Sequence, residues 1–244
     1  MKPLEKANLP TGDVKLVAVS AQAGELIKVL GCYGIGVIRV SPSPKIIDGT
    51  ASHADLHLLH LGENELWISR EQSDKAAQLK SYGFNVKILT EPLDSSYPLD
   101  VPLNAAVIGD IVFFNPKTVC ADINFADKKV ISVRQGYSKC SVCAVGDNAV
   151  ITDDTGIYSS ALKNGMDALL IEKGDIKLQG RDYGFIGGCC GMINSRTMLF
   201  NGNLESHRNA KDIEAFLKNY GINCLSIGAY PLTDIGGILP LCQK

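Results

Sequence analysis

Four stretches of the chain share one grammar, and that repetition limits the folds open to it more than any other feature. They are AGELIKVLGCYGIGVIRV from Ala23, DKAAQLKSYGFNVKILT from Asp74, YSSALKNGMDALLIEKG from Tyr158 and AKDIEAFLKNYGINCLSIG from Ala210. Each begins with apolar residues at helical spacing, places a glycine (Gly34, Gly83, Gly165, Gly221) where a helix must stop, and continues as an apolar strand. Each therefore reads as helix, tight stop, strand.

Strand pairs lie between these units: ADLHLLHLGENELWIS from Ala54, LNAAVIGDIVFFN from Leu103, CSVCAVGDNAVIT from Cys140 and GFIGGCCGMINSRTMLF from Gly184. The first three set Gly-Glu-Asn, Gly-Asp and Gly-Asp-Asn between apolar runs, which is hairpin chemistry. A fifth unit can be assembled from the two ends of the chain, with DIGGILPLC beside KLVAVSA from Lys15. The segment from Asn115 to Ser132 should hold the remaining helix, but CADINFADKK has poor helical periodicity. Hairpins and helices of this size cannot bury their apolar faces alone, so the units must stack or close into a ring. Pairing the N-terminal strand with the C-terminal one would remove an exposed edge. The expectation is a single α/β domain over residues 1–244, five ββαβ-type units around a pseudo-axis.

Composition supports a buried core and narrows the partners. Of 244 residues, 45% are hydrophobic and 20% charged, which suits a globular chain. A formal charge of −2 lacks the basic excess that neutralising a run of phosphates requires, so nucleic acid is not an expected partner. No segment approaches the ~18 apolar residues that cross a bilayer, so no membrane partner is expected either. Residues 1–14 lack the apolar core of a signal peptide, and the expected location is the cytoplasm. The eight cysteines, at 32, 120, 140, 143, 189, 190, 224 and 242, mostly sit inside apolar runs and read as reduced core thiols.

A ring of five such units resembles the pentein fold, also called the guanidino-group-modifying enzyme fold. The strings QGYSKCSVC, ITDDTGI, LLIEKGDIKL, YGFIGG and DIGGILP look like an uncharacterised bacterial family placed in that fold. The resemblance implies a cysteine thiolate that attacks a planar guanidinium carbon, a histidine that assists, and carboxylates that hold the cation. It implies no cofactor. It also implies that these groups come from different units and meet at one end of a central channel, near the beginnings of the inner strands. The segments SHAD, PLNA, YSKC, EKGD and DIGG then supply His53, Asp55, Asn104, Cys140, Glu172, Asp175 and Asp234.

Two registers of the resemblance compete. Read in line, the final DIGGILP is similar to the nucleophile unit, but Pro240 stands at the thiol's position and Cys242 falls two residues late. With the units rotated, His53-x-Asp55 resembles the superfamily's His-x-Asp and Gly136-x-x-x-Cys140 resembles the nucleophile unit. Glu172-x-Gly174-Asp175-Ile176 is similar to the Glu-x-Gly-Asp-Ile of dimethylarginine hydrolase, about one unit from its expected place.

Each candidate has a plainer structural reading beside it. On an extended strand His53, Asp55 and His57 share one face, yet a single strand spreads them over ~13 Å, which is poor for zinc. His57 and His60 read as hydrogen-bonded structural histidines. Cys140-x-x-Cys143 lies in a β-like run, away from the helix N-terminus that activates redox pairs, and Cys189-Cys190 has the wrong spacing for a four-thiolate site. Glu172 and Asp175 could be exposed turn carboxylates. The glycines of GFIGGCCG read as close backbone packing, since the run lacks the pattern of a phosphate cradle. The leading expectation is a protein that binds a small cationic guanidino or amidine compound and, if catalytic, hydrolyses or transfers its C–N bonds. Cys140 would be the nucleophile, His53 the acid-base, and Asp55, Asn104, Glu172, Asp175 and Asp234 the binding groups. A non-catalytic interaction module that has lost its thiol at Pro240, and a ligand sensor with no poised nucleophile, remain alternatives.

Overall fold

The four glycines expected to stop helices all adopt the left-handed backbone, with φ of 66°, 98°, 78° and 69° at Gly34, Gly83, Gly165 and Gly221. They follow α-helices Gly24–Cys32, Ala76–Ser81, Thr155–Lys163 and Ala210–Asn219, each of which then turns into a strand. The structure is a computed structural model describing residues 1–46 and 49–244. Between Phe114 and Lys129, where the sequence expects a weak helix, the described backbone forms turns instead. Ile123 and Phe125 are nonetheless buried there, so single apolar anchors do what a helical stripe does elsewhere.

The described residues form five small sheets, each with an antiparallel strand pair and then a parallel strand. In chain order, the hairpins of four of them are Leu58–Gly62 with Glu65–Ile68, Ala106–Ile108 with Ile111–Phe114, Val142–Gly146 with Ala149–Thr152, and Cys190–Asn194 with Thr197–Asn203. The remaining sheet is built from both ends of the chain. Its strand Leu239–Gln243 lies between Lys2–Pro3 and Val14–Ser20, antiparallel to both, and Val14–Ser20 pairs in parallel with Gly36–Val40.

Successive residues of the hairpin strands feed the cores on either side. Leu58 packs with Leu16 and Leu241, whereas Leu59 packs with Val107 and Val112. Val150 joins Phe113 and Val142, and Ile151 joins Cys190 and Phe200. Val17 and Ile238 pack with Leu199, which brings the last hairpin against the first sheet. Strands buried on both faces must be apolar throughout, which is why these runs do not alternate with polar residues. Each hydrophobic cluster thus joins two sheets, and the circuit of packing returns to its start.

The helix-stop reading makes a quantitative expectation. Gly165 and Gly221 have open space where a Cβ would go, so alanine there is penalised only by its backbone. Gly165→Ala and Gly221→Ala should each lower the unfolding free energy by about 1–2 kcal/mol. Gly12→Ala, at a site with equal room and no positive φ, should leave it unchanged or slightly raised. Urea denaturation of the variants checks this.

Candidate functional site

Four turns, each leading into the first strand of a sheet's hairpin, bring most of the expected residues together. His53 and Asp55 precede Leu58–Gly62, Asn104 precedes Ala106–Ile108, Cys140 precedes Val142–Gly146, and Asp234 precedes Leu239–Gln243. All five are buried. His53, Cys140 and Asp234 line a cavity of about 210 Å³ together with Leu56, Tyr137 and Phe185.

Two local expectations need correcting. His53 to His57 is not an extended strand: Ala54–His57 is a single helical turn with His53 at its N-cap. The turn is fixed from outside, because the Asp55 N–H donates to the Gly236 carbonyl at 3.1 Å while Leu56 N–H donates to His53 O. Cys140 likewise sits in a turn, with Ser141 N–H bonded to Tyr137 O, and only Cys143 lies in the strand. His57 and His60 have structural partners: His57 bonds Ser69 Oγ at 2.7 Å and Ala51 O at 2.9 Å, and His60 bonds Glu63 O at 3.0 Å. Burial pulls the pKa of both imidazoles down, to about 4 for His60.

Asn104 is the hub of the cluster. Its Oδ1 accepts the Lys139 N–H at 2.8 Å and, more weakly, the Cys140 N–H at 3.4 Å. Its Nδ2 donates to Asp55 O at 3.0 Å and to Cys140 Sγ at 3.1 Å. One amide therefore sets the nucleophile turn relative to the His53–Asp55 turn and places a donor on the sulfur.

Asp234 is the second anchor. Its Oδ2 accepts from Phe185 N–H and its Oδ1 from Gly236 N–H, both at 2.9 Å, and Oδ1 lies 3.6 Å from His53 Nδ1. Glycines make room for it. A Cβ on Gly188 would come within 2.0 Å of the Asp234 carboxylate, and one on Gly184 within 2.5 Å of its Cβ. Gly236, at φ +77°, packs against His53 Cα, where a Cβ would approach to 2.4 Å. The glycine-rich GFIGGCCG and DIGG segments are thus the backbone clearance around this carboxylate and imidazole.

The electrostatics are lopsided. Burial pushes the Cys140 thiol well up, the fields of Asp55 and Asp234 push it further, and the Asn104 donor opposes them. Asp234 is also raised, first by burial and then by Asp55, with His53 pulling the other way. Among the described residues no N–H group reaches either oxygen of the fully buried Asp55 carboxylate, and its polar neighbour is the Cys140 thiol, which it helps to hold protonated. The carboxylate lies behind the lining residues rather than on the cavity wall. A buried carboxylate without a cationic partner costs several kcal/mol in a folded protein.

Glu172 and Asp175 do not join the cluster. Glu172 is exposed. Asp175 is held by Arg208 through Nε at 2.8 Å, Nη2 at 2.9 Å and the backbone N–H at 2.9 Å, which keeps its pKa low. A carboxylate so engaged is a structural tie and not a clamp for a ligand. Pro240 is also elsewhere, paired with Val17 and lining a separate crevice with Lys139 and His60. Sequence reasoning overlooked two features beside the site: Asp153, and the aromatic wall of Tyr137, Tyr183 and Phe185. The ITDDTGI string contains Asp153 but gave no sign of its burial.

The sequence matches the family of unknown function DUF6873 over residues 18–239. The chain belongs to that family. A comparison with curated proteins finds no match. Among solved structures, the inosamine-phosphate amidinotransferase StrB1 from Streptomyces griseus is similar at a TM-score of 0.61 and 13% identity, with 99% of this chain and 97% of that one covered. The amidinotransferase SxtG from Microseira wollei gives 0.60 and 9% identity, covering 98% and 97%. DDAH from Pseudomonas aeruginosa, complexed with citrulline, gives 0.57 and 9%, covering 88% and 92%. These likenesses establish the fold, which is the pentein fold.

Asp153 yields a pH-dependent expectation. Burial raises its pKa from 3.8 to about 7, against the pull of Lys173, and its Oδ1 has no partner. The folded state then holds a proton that the unfolded state has released, so this contribution to stability is lost as pH rises from about 4 through about 7. Asp153→Asn should gain roughly 2–3 kcal/mol relative to the parent between pH 5 and pH 8. Denaturant unfolding at the two pH values measures it, and a pH-independent difference would contradict it.

Proposed function

We propose that the protein binds a small guanidinium or amidinium compound at the Cys140–His53 cavity and attacks its central carbon through the Cys140 thiol. The observation that carries this reading is the Asp55 carboxylate, buried beside the Cys140 thiol with no N–H donor on either oxygen among the described residues. Asp55 and Asp234 supply the negative field that a delocalised planar cation neutralises, and Asn104 holds the sulfur in register. In this reading the five sheets are the blades of a pentein propeller with five-fold pseudo-symmetry, and the cavity is the mouth of its channel.

Chemistry then follows from the positions of the groups. A cation bound in the cavity against Asp234, with Asp55 behind the wall, offsets the fields that hold the thiol up, so the thiolate forms when substrate is present. The sulfur bonds to the amidino carbon as its proton leaves. His53 lines the same cavity without hydrogen-bonding to Cys140, so the proton passes between them through the bound substrate or a water. The protonated imidazole, oriented by Asp234, gives that proton to the departing amine as the C–N bond breaks. The S-linked amidino group is then released to water or to an acceptor amine, regenerating the thiol.

One observation favours binding without turnover: the thiol is pushed well up, and among the described residues no lysine or arginine pairs with the neighbouring carboxylates. A cationic alkylating probe separates the readings. 2-Chloroacetamidine should label Cys140 selectively near neutral pH, its methylene carbon bonding to the sulfur as chloride leaves to solvent and the thiol proton is released, at least about tenfold faster than neutral 2-chloroacetamide does, a ratio equivalent to ~1.4 kcal/mol of cation recognition. Mass spectrometry of the peptides reads it. Equal rates for the two probes, spread over all the thiols, would rule out the proposed site.

A further inference from the structure

The cavity has two chemically different ends. Asp234, His53 and Cys140 form the buried end, beside Leu56; the partly exposed end is Tyr137, Leu178, Tyr183 and Phe185, with Thr50 also on the wall. The aromatic rings make a continuous surface: Tyr137 stacks on Phe185 with centroids 6.1 Å apart and planes at 22°, and Tyr183 meets Phe185 edge-on at 5.8 Å. Tyr97 continues the row behind Tyr137 at 5.9 Å.

Tyr137 contributes its ring and not its hydroxyl. The hydroxyl donates a very short hydrogen bond to Asp100 Oδ2, and burial together with that bond pushes its pKa up. Tyr183 carries the Lys173 ammonium over its ring at 5.7 Å. The charged lining side chains of this half, Arg181 and Asp182, are exposed residues at the rim.

One segment supplies much of this wall, residues 178–185, and its ends are pinned to the acidic anchor. Lys177 N–H bonds Leu232 O, Asp234 N–H bonds Lys177 O, and Phe185 N–H bonds Asp234 Oδ2, at 2.8, 2.8 and 2.9 Å. A ligand cation gripped at Asp234 therefore has its substituent laid along this segment.

We propose that the ligand is a guanidine or amidine whose nitrogen bears an apolar, ring-containing substituent, and that segment 178–185 selects it. This rests on the cation site described above and adds the substituent. Along Leu178, Tyr183 and Phe185 a polar chain would meet side chains that offer its charged head no partner short of the exposed rim at Arg181 and Asp182. A ring would stack on Phe185 and Tyr137 instead. The volume suits it, since a dry cavity of about 150 Å³ holds benzene, and about 210 Å³ leaves space for a small planar cation beside the ring.

Calorimetric titration of the whole chain with methylguanidine, benzylguanidine, agmatine and arginine tests this. Benzylguanidine should bind roughly 10- to 100-fold more tightly than methylguanidine, the gain from burying a phenyl group. Arginine and agmatine should show no such gain. In Phe185→Ala, and separately in Leu178→Ala, whose side chain is partly exposed and therefore less needed for folding, the benzyl-to-methyl ratio should fall several-fold. Equal affinities for benzylguanidine and methylguanidine, or tightest binding of arginine, would overturn the substituent proposal while leaving the cation site standing. Failure of every guanidinium compound to bind would overturn the cation site and the proposal with it.

Discussion

Everything at this site answers to negative charge placed where water cannot reach it. Asp55 and Asp234 are buried within one cluster with a thiol and an imidazole, and among the described residues no lysine or arginine pairs with either. A fold tolerates such an arrangement only if its surroundings hold it in place. The surroundings here are unusually committed: a single amide, Asn104, ties three backbone groups and the sulfur. Backbone N–H groups of Phe185 and Gly236 fix Asp234, and glycines clear the space it occupies. Stability given up at one spot is recovered from tertiary ties whose geometry also aims the reactive groups.

The architecture explains how residues so far apart in sequence can meet. Each hairpin's first strand is entered by a turn at the same level, and the sheets pack in a circuit, so short turns separated by tens of residues face one another. The circuit depends on the two ends of the chain sharing a sheet, through Leu239–Gln243. If that strand were to detach, Asp234 and Gly236 would leave with it, and both His53 and the Asp55 turn would lose their support. Closure of the fold and assembly of the site are one event.

How much of this the sequence disclosed depended on the range of the interactions involved. Helix stops and hairpin turns are local, so Gly34, Gly83, Gly165 and Gly221 were legible, as was the poor helix in CADINFADKK. His53, Asp55, Asn104, Cys140 and Asp234 were singled out through resemblance and short motifs, and they do converge. The helical turn Ala54–His57 was misread as strand because SHADLHLLHL alternates like one; its conformation is imposed by Gly236, far along the chain. Asp175 satisfied a local Glu-x-Gly-Asp-Ile pattern, but Arg208 takes its carboxylate, and no motif announces a partner 33 residues away. The aromatic wall was invisible for the same reason, since Tyr137 is turned by Asp100, 37 residues earlier.

The most direct test of the account is the melting temperature of Asp55→Asn beside the parent, each with and without millimolar methylguanidine at constant ionic strength. If Asp55 is a carboxylate held without a partner for a cation, the empty variant should melt higher, by roughly 2–4 °C for each kcal/mol relieved. Methylguanidine should raise the parent's melting temperature by more than the variant's, in which only Asp234 still draws the cation. A variant that melts lower than the parent and responds to methylguanidine just as the parent does would show that Asp55 is structural, and that the site is not built around a cation.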